Sequence, residues 1–164
     1  MKIIAIDPGY ERLGVAIIEK FAGQKEVLLF SDCLKTDRKF DHPERLFQIK
    51  TGLDEIIKKY KPEFLAIEKL FFSKNQKTAM LVAEARGAIL VTGKSHGLEI
   101  HEFTPNAIKV AVTGYGKSDK KTIINFLPKI IQIKKTIKHD DEFDAIATGI
   151  TFFATYPNNF LGKL

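Results

Sequence analysis

Apolar positions along the chain fall into short runs with two distinct periods. Lys2 to Ile6 is a nearly continuous apolar run, the pattern of a strand covered on both faces, and Pro8-Gly9 ends it with a turn. Leu13 to Ile18 and Glu26 to Phe30 read as a second and a third strand, joined by a hairpin turn at Gly23-Gln24. From about Pro43 to Tyr60 the period changes. Leu46, Ile49, Leu53, Ile56 and Ile57 recur at helical spacing, and Pro43 suits a first turn. Phe64 to Ile67 predicts a short buried strand ending at Glu68. A long helix follows over about Gln76 to Ser95, stopped by Gly97. Its stripe of Met80, Ala83, Gly87, Leu90 and Val91 includes small residues that permit close helix approach, inside the fold or at a dimer contact. Leu98 to Phe103 predicts a fifth strand, Pro105 opens a short helix, Thr113 to Ser118 is a glycine-containing loop, and Asp119 to Phe126 is helical. A basic stretch with Lys129, Lys134, Lys135 and Lys138 precedes a last helix, from Asp140 or Asp141 to about Thr155.

Three strands in meander order, then helix, strand, helix, strand and helices, predict an α/β domain. Its sheet is mixed and five-stranded, with three antiparallel N-terminal strands plus two parallel strands, flanked by helices. No repeat, linker or low-complexity segment interrupts the order, and 164 residues suit one domain over 1–164. Net charge changes the picture slightly: 26 basic against 20 acidic residues leave +6, which favours a polyanionic partner. Cys33 is the sole cysteine, so an internal disulfide is impossible, and it reads as a core or strand-edge thiol. The apolar run at Ile3 to Ile6 is cut by Asp7, too early for a signal peptide, and nothing approaches the ~18 apolar residues of a membrane span. A cytoplasmic protein with no membrane partner is expected.

The candidate chemistry is acidic. Asp7 directly follows a buried strand, where open α/β sheets place ligands, although Asp-Pro-Gly is also good turn chemistry. Glu68 repeats that placement inside an apolar stretch, either facing solvent as Lys69 does or needing a cationic partner. Asp141 and Asp144 are three apart at the start of the last helix and share a face. One acid there serves to cap the helix, with Asp140 the natural choice. Three segments thus deliver acids to element ends. Crowded carboxylates repel one another, and a divalent cation relieves the repulsion. Hard oxygen donors suit Mg²⁺ or Mn²⁺ rather than Zn²⁺, and such a set fits two-metal phosphodiester hydrolysis. No Ser, Thr or Cys nucleophile constellation competes. His139 abuts the last acids and reads as a surface residue.

Five segments, in order from about residue 1 to 154, resemble the RuvC family: IAIDPGYERLGVAII, LAIEKLFFSKN, EARGAILV, FTPNAIKVAVTGYGKSDKK and DEFDAIATGI. The resemblance implies an RNase H-like fold and a structure-selective endonuclease that resolves Holliday junctions in DNA recombination and repair, nicking two strands of like polarity. It implies Asp7, Glu68, Asp141 and Asp144 as catalytic, metal-binding acids, Asp140 being the neighbour that could replace Asp141. The implied cofactor is Mg²⁺, with Mn²⁺ able to substitute and two ions per active site. Phe71, or Phe72 in its place, would stack on an unpaired base, a contact worth ~1–3 kcal/mol. Lys109 and Lys120 would contact phosphate near the cut, with Lys117 and Lys121 sharing the task. Implied partners are four-way junction DNA, a second copy in a homodimer, and the RuvA and RuvB branch-migration proteins. LKTDRKFDHPERL matches no motif of the family. Three other readings compete: a YqgF-type RNA-directed nuclease of the same fold, a non-catalytic junction-binding protein, and an actin-like phosphotransferase. The last needs two lobes and a phosphate loop that this chain lacks.

Overall fold

The computed structural model describes residues 1–70 and 76–156. Its elements run β1 (Lys2–Asp7), β2 (Arg12–Glu19), β3 (Val27–Lys35), α1 (His42–Tyr60), β4 (Phe64–Glu68), α2 (Gln76–Ser95), β5 (Glu99–Phe103), α3 (Pro105–Thr113), α4 (Lys120–Ile130) and α5 (Asp140–Thr155). The five strands form one sheet in the order β3-β2-β1-β4-β5. β1 pairs antiparallel with β2, and β2 with β3, while β1–β4 and β4–β5 are parallel. This is the mixed sheet that the sequence predicts.

Helices cover both faces, which is why the central strands are apolar throughout. Strand alternation splits them between two cores. Ile3 and Ala5 of β1, with Phe64 and Ala66 of β4, pack against residues of α3, α4 and α5. Ile4, Ile6, Leu65 and Ile67 pack the opposite way, with Ile49 and Leu53 of α1 and Ala85 and Ile89 of α2. The same alternation sets Asp7 and Glu68, at the carboxyl ends of β1 and β4, on the α5 face.

Helix starts are capped as their sequences suggest. Asp41, Thr104 and Asp119 accept the backbone N–H of Glu44, Ala107 and Thr122 at the starts of α1, α3 and α4. Several boundaries differ from expectation. β3 continues to Lys35 instead of ending at Phe30, because a register shift at Ile17/Ile18 lets its polar second half keep pairing with β2 as far as Arg12. α1 starts one residue earlier, at His42. α4 runs through Pro128 to Ile130, its last turn held by buried Leu127 and Ile131. The cap of α5 is His139, not Asp140, and Glu142 accepts the His139 backbone N–H at 3.1 Å. The α2 stripe is split: Met80 and Val91 are 65% and 70% exposed and a Cβ on Gly87 would meet nothing within 4 Å, while Leu90 packs partly against the core.

Candidate active site

Asp7 is the most buried and most crowded acid of the group. Burial, then the negative charges of Asp144, Glu68 and Asp141, push its carboxyl up to about 7. Glu68 is raised by burial and by Asp144, with Lys109 opposing, and burial also raises Asp144. All four sequence-predicted acids therefore share one electrostatic site. They reach it from separate elements. Asp7 pairs with Gly14 across the β1–β2 ladder. Gly14 in turn lies against the Asp141 main chain, where an added Cβ would stand 2.0 Å from the carbonyl oxygen.

Basic residues ring these acids. Lys120 Nζ donates to Asp144 at 2.8 Å and lies 3.6 Å from Asp140. A cleft of about 220 Å³ beside the cluster is lined by Glu68, Lys109, Ser118, Lys120 and Asp144. Lys109 and Lys120 thus both line the cleft beside the acids. Lys117 and Lys121 are exposed and do not line that cleft. Phe71 and Phe72 lie outside the described residues.

Several participants have no place in the sequence reading. Arg12, at the start of β2, donates to Asp141, whose Oδ2 also lies 3.5 Å from Cys33 Sγ. Cys33 is buried on β3. Arg86 of α2 pairs with Glu102 of β5 and donates to the Glu68 carbonyl oxygen at 3.4 Å, tying down the end of β4. Tyr10, on the turn after Asp7, is held by His42 at 2.9 Å, and His42 by Glu84 at 2.8 Å. Glu142 is 2% exposed and accepts from Lys135, from Ser31 and from two backbone N–H groups. Burial alone would raise its carboxyl, but Lys135 and Ser31 hold it down to about 2. The sequence did carry one signal for Glu142, since a Glu three residues after a cap is the capping-box position.

The donor chemistry fits a divalent ion: four carboxylates, of which the half-buried Asp7 is short of positive charge. Among the described residues no three His, Cys, Asp or Glu side chains stand as a ready-made ligand set. Arg12 and Lys120 engage Asp141 and Asp144 as counter-ions instead.

The raised Asp7 sets a pH prediction. Its folded-state value exceeds the ordinary 3.8, so the folded protein binds this proton more tightly than the unfolded chain does. Stability from this group is therefore present at low pH and lost as pH rises from about 4 through 7. Without divalent ions, Asp7→Asn should melt about 5 °C above wild type at pH 8, and the gap should close toward pH 4. Equal melting temperatures across that range would contradict the crowding.

The family model described as crossover junction endodeoxyribonuclease RuvC matches residues 3–152. The chain belongs to the RuvC family. This RuvC-family chain is 42% identical over 148 residues to the crossover junction endodeoxyribonuclease RuvC of Petrotoga mobilis, covering 90% of each chain. It is 40% identical over 151 residues to that of Fusobacterium nucleatum, covering 92% of this chain and 79% of the relative. Among solved structures it resembles T. thermophilus RuvC in complex with Holliday junction substrate, with a TM-score of 0.86 and 27% identity over 93% of each chain. With those RuvC neighbours it shares the RNase H-like fold. Among the described residues, no helix is long and apolar enough to cross a membrane.

Proposed function

We propose that this protein resolves four-way DNA junctions by divalent-metal-dependent hydrolysis, acting through one nuclease domain over residues 1–164. The observation that carries the reading is the convergence of Glu68, Asp141 and Asp144 on a half-buried Asp7, beside a cleft lined by Lys109 and Lys120. Asp7, Glu68, Asp141 and Asp144 would hold two ions, Mg²⁺ or Mn²⁺. When bound, the ions supply an activated water and stabilise the leaving oxygen. The chain's own residues do the positioning. Lys109 and Lys120 bind the phosphate to be cut, as point charges. Arg86 fixes the strand end that carries Glu68. Phe71 or Phe72 would stack on a base at the junction centre.

A homodimer presents two such sites to a two-fold symmetric junction, which accounts for paired nicks in strands of like polarity. The outward part of the α2 stripe suits that contact, because Gly87 and Ala83 let a second helix approach closely. RuvA and RuvB are the proposed branch-migration partners.

A synthetic four-way junction tests the reading. Incubated with Mg²⁺, it should yield two symmetric nicks, while duplex DNA and structured RNA stay intact and EDTA abolishes cutting. Preferential cutting of RNA would favour the YqgF-type alternative. Binding without cutting would favour a non-catalytic junction binder. Junction affinity should fall as salt rises, because phosphate contacts release counter-ions.

A further inference from the structure

Asp141 is the one acid of the cluster engaged by a guanidinium. Arg12 reaches it from the first position of β2 and donates to Oδ2. The approach is built into the packing. Gly14, two residues along the same strand, lies so close to α5 that an added Cβ would sit 2.0 Å from the Asp141 carbonyl oxygen and 3.2 Å from its Cβ. The carboxylate is thereby delivered to the β2 edge where Arg12 begins. Cys33 Sγ lies 3.5 Å from the same oxygen. Oδ2 therefore meets both a cation and a thiol.

Resting on the reading of these acids as an ion-holding set, we propose that Arg12 is the counter-ion Asp141 must release before a divalent ion can bind on that side. Arg12 thus sets the affinity of the Asp141-side ion. One property separates it from Lys120. A guanidinium stays charged at any working pH, so it leaves only by swinging away, never by losing a proton. Its side chain, like that of Lys120, is about half exposed, which leaves it an open path to solvent. An ion at Asp141 and a seated guanidinium would be two cations on one carboxylate. The two states exclude each other, and apparent ion affinity falls by the fraction of molecules with Arg12 in place. A half-exposed pair of this kind makes that fraction large but not overwhelming, so its removal should tighten binding about fivefold to tenfold.

Manganese titration of the full chain, following free Mn²⁺ by electron paramagnetic resonance, reads this directly without turnover. The weaker Mn²⁺ step should tighten about fivefold to tenfold in Arg12→Gln, and equally in Arg12→Ser if the glutamine variant folds poorly. It should stay near wild type in Arg12→Lys, which keeps a cation in reach, and disappear in Asp141→Asn. Melting curves without metal check that each variant is folded. Unchanged or weaker Mn²⁺ binding in both neutral variants would overturn the proposal while leaving the metal site standing. Absence of Mn²⁺ binding in every protein, wild type included, would instead overturn the metal reading itself, and this proposal with it.

Discussion

Replacing Asp7 with Asn should lower junction cleavage by at least about 10³-fold while leaving junction binding within about threefold of wild type. The substitution keeps shape and volume and removes only the charge. Asp7 is the acid on which the fields of Glu68, Asp141 and Asp144 converge, so it stands where a divalent ion would relieve the most repulsion. Losing a ligand that stabilises developing charge costs several kcal/mol of barrier, and each ~1.4 kcal/mol is tenfold in rate. Binding should survive because it depends on basic groups such as Lys109 and Lys120 that meet phosphate. It should even strengthen slightly, since an anion near the DNA backbone is gone. Gel-shift titration and single-turnover cleavage on the same junction separate the two effects. Cleavage within tenfold of wild type, or cleavage that persists in EDTA, would rule out a carboxylate-held ion as the source of the rate. The folded variant should also be the more stable protein at pH 8 without metal, so lost activity could not be ascribed to unfolding.

Much of this site was legible because strands carry a simple code. Asp7 and Glu68 each end an apolar run, and strand alternation sends both to the α5 face. Asp141 and Asp144 follow from helical spacing. What stayed hidden depends on distances that no period encodes. Arg12 meets Asp141 across 129 residues, and Glu142 meets Ser31 across 111. Arg12 reads as an exposed residue ahead of the apolar run of β2. Glu142 sits in a run of acids where Asp140 looked the better cap, yet burial and four donors make it the acid that anchors the helix start. The end of β3 was missed for a related reason. Ser31, Asp32 and Lys35 read as loop residues, while their backbone groups pair with β2. Pro128 looks like a stop, but the apolar anchors Leu127 and Ile131 outweigh its missing N–H in a final turn.

The same packing makes Gly14→Ala a damaging single methyl. Gly14 has an ordinary negative φ, so backbone conformation does not demand glycine here. Space does. The new Cβ would stand 2.0 Å from the Asp141 carbonyl oxygen and 2.6 Å from its carbonyl carbon. Those are main-chain atoms in the first turn of α5 and cannot rotate aside. Either the helix start lifts or β2 bends away from it. Overpacking against flexible groups costs about 1–3 kcal/mol, and a backbone clash belongs at the top of that range or above it. For a chain of this size ~3 kcal/mol lowers the melting temperature by about 6–12 °C. Gly149→Ala is the contrast. Its Cβ would meet Ile18 Cδ1 at 2.5 Å, the end of a flexible side chain, and Ala5 Cβ at 3.0 Å, so the neighbour can partly yield and the loss should be smaller. Activity should fall further than stability in Gly14→Ala, because lifting α5 carries Asp141 and Asp144 away from Asp7 together. Misplacing catalytic groups by about 1 Å costs on the order of 10²-fold. Melting curves and single-turnover cleavage at a temperature where the variant is fully folded read the two consequences apart. A Gly14→Ala protein that melts and cuts like wild type would mean that α5 is not pinned to β2 at Asp141, and the geometry that unites the acids would have to be drawn differently.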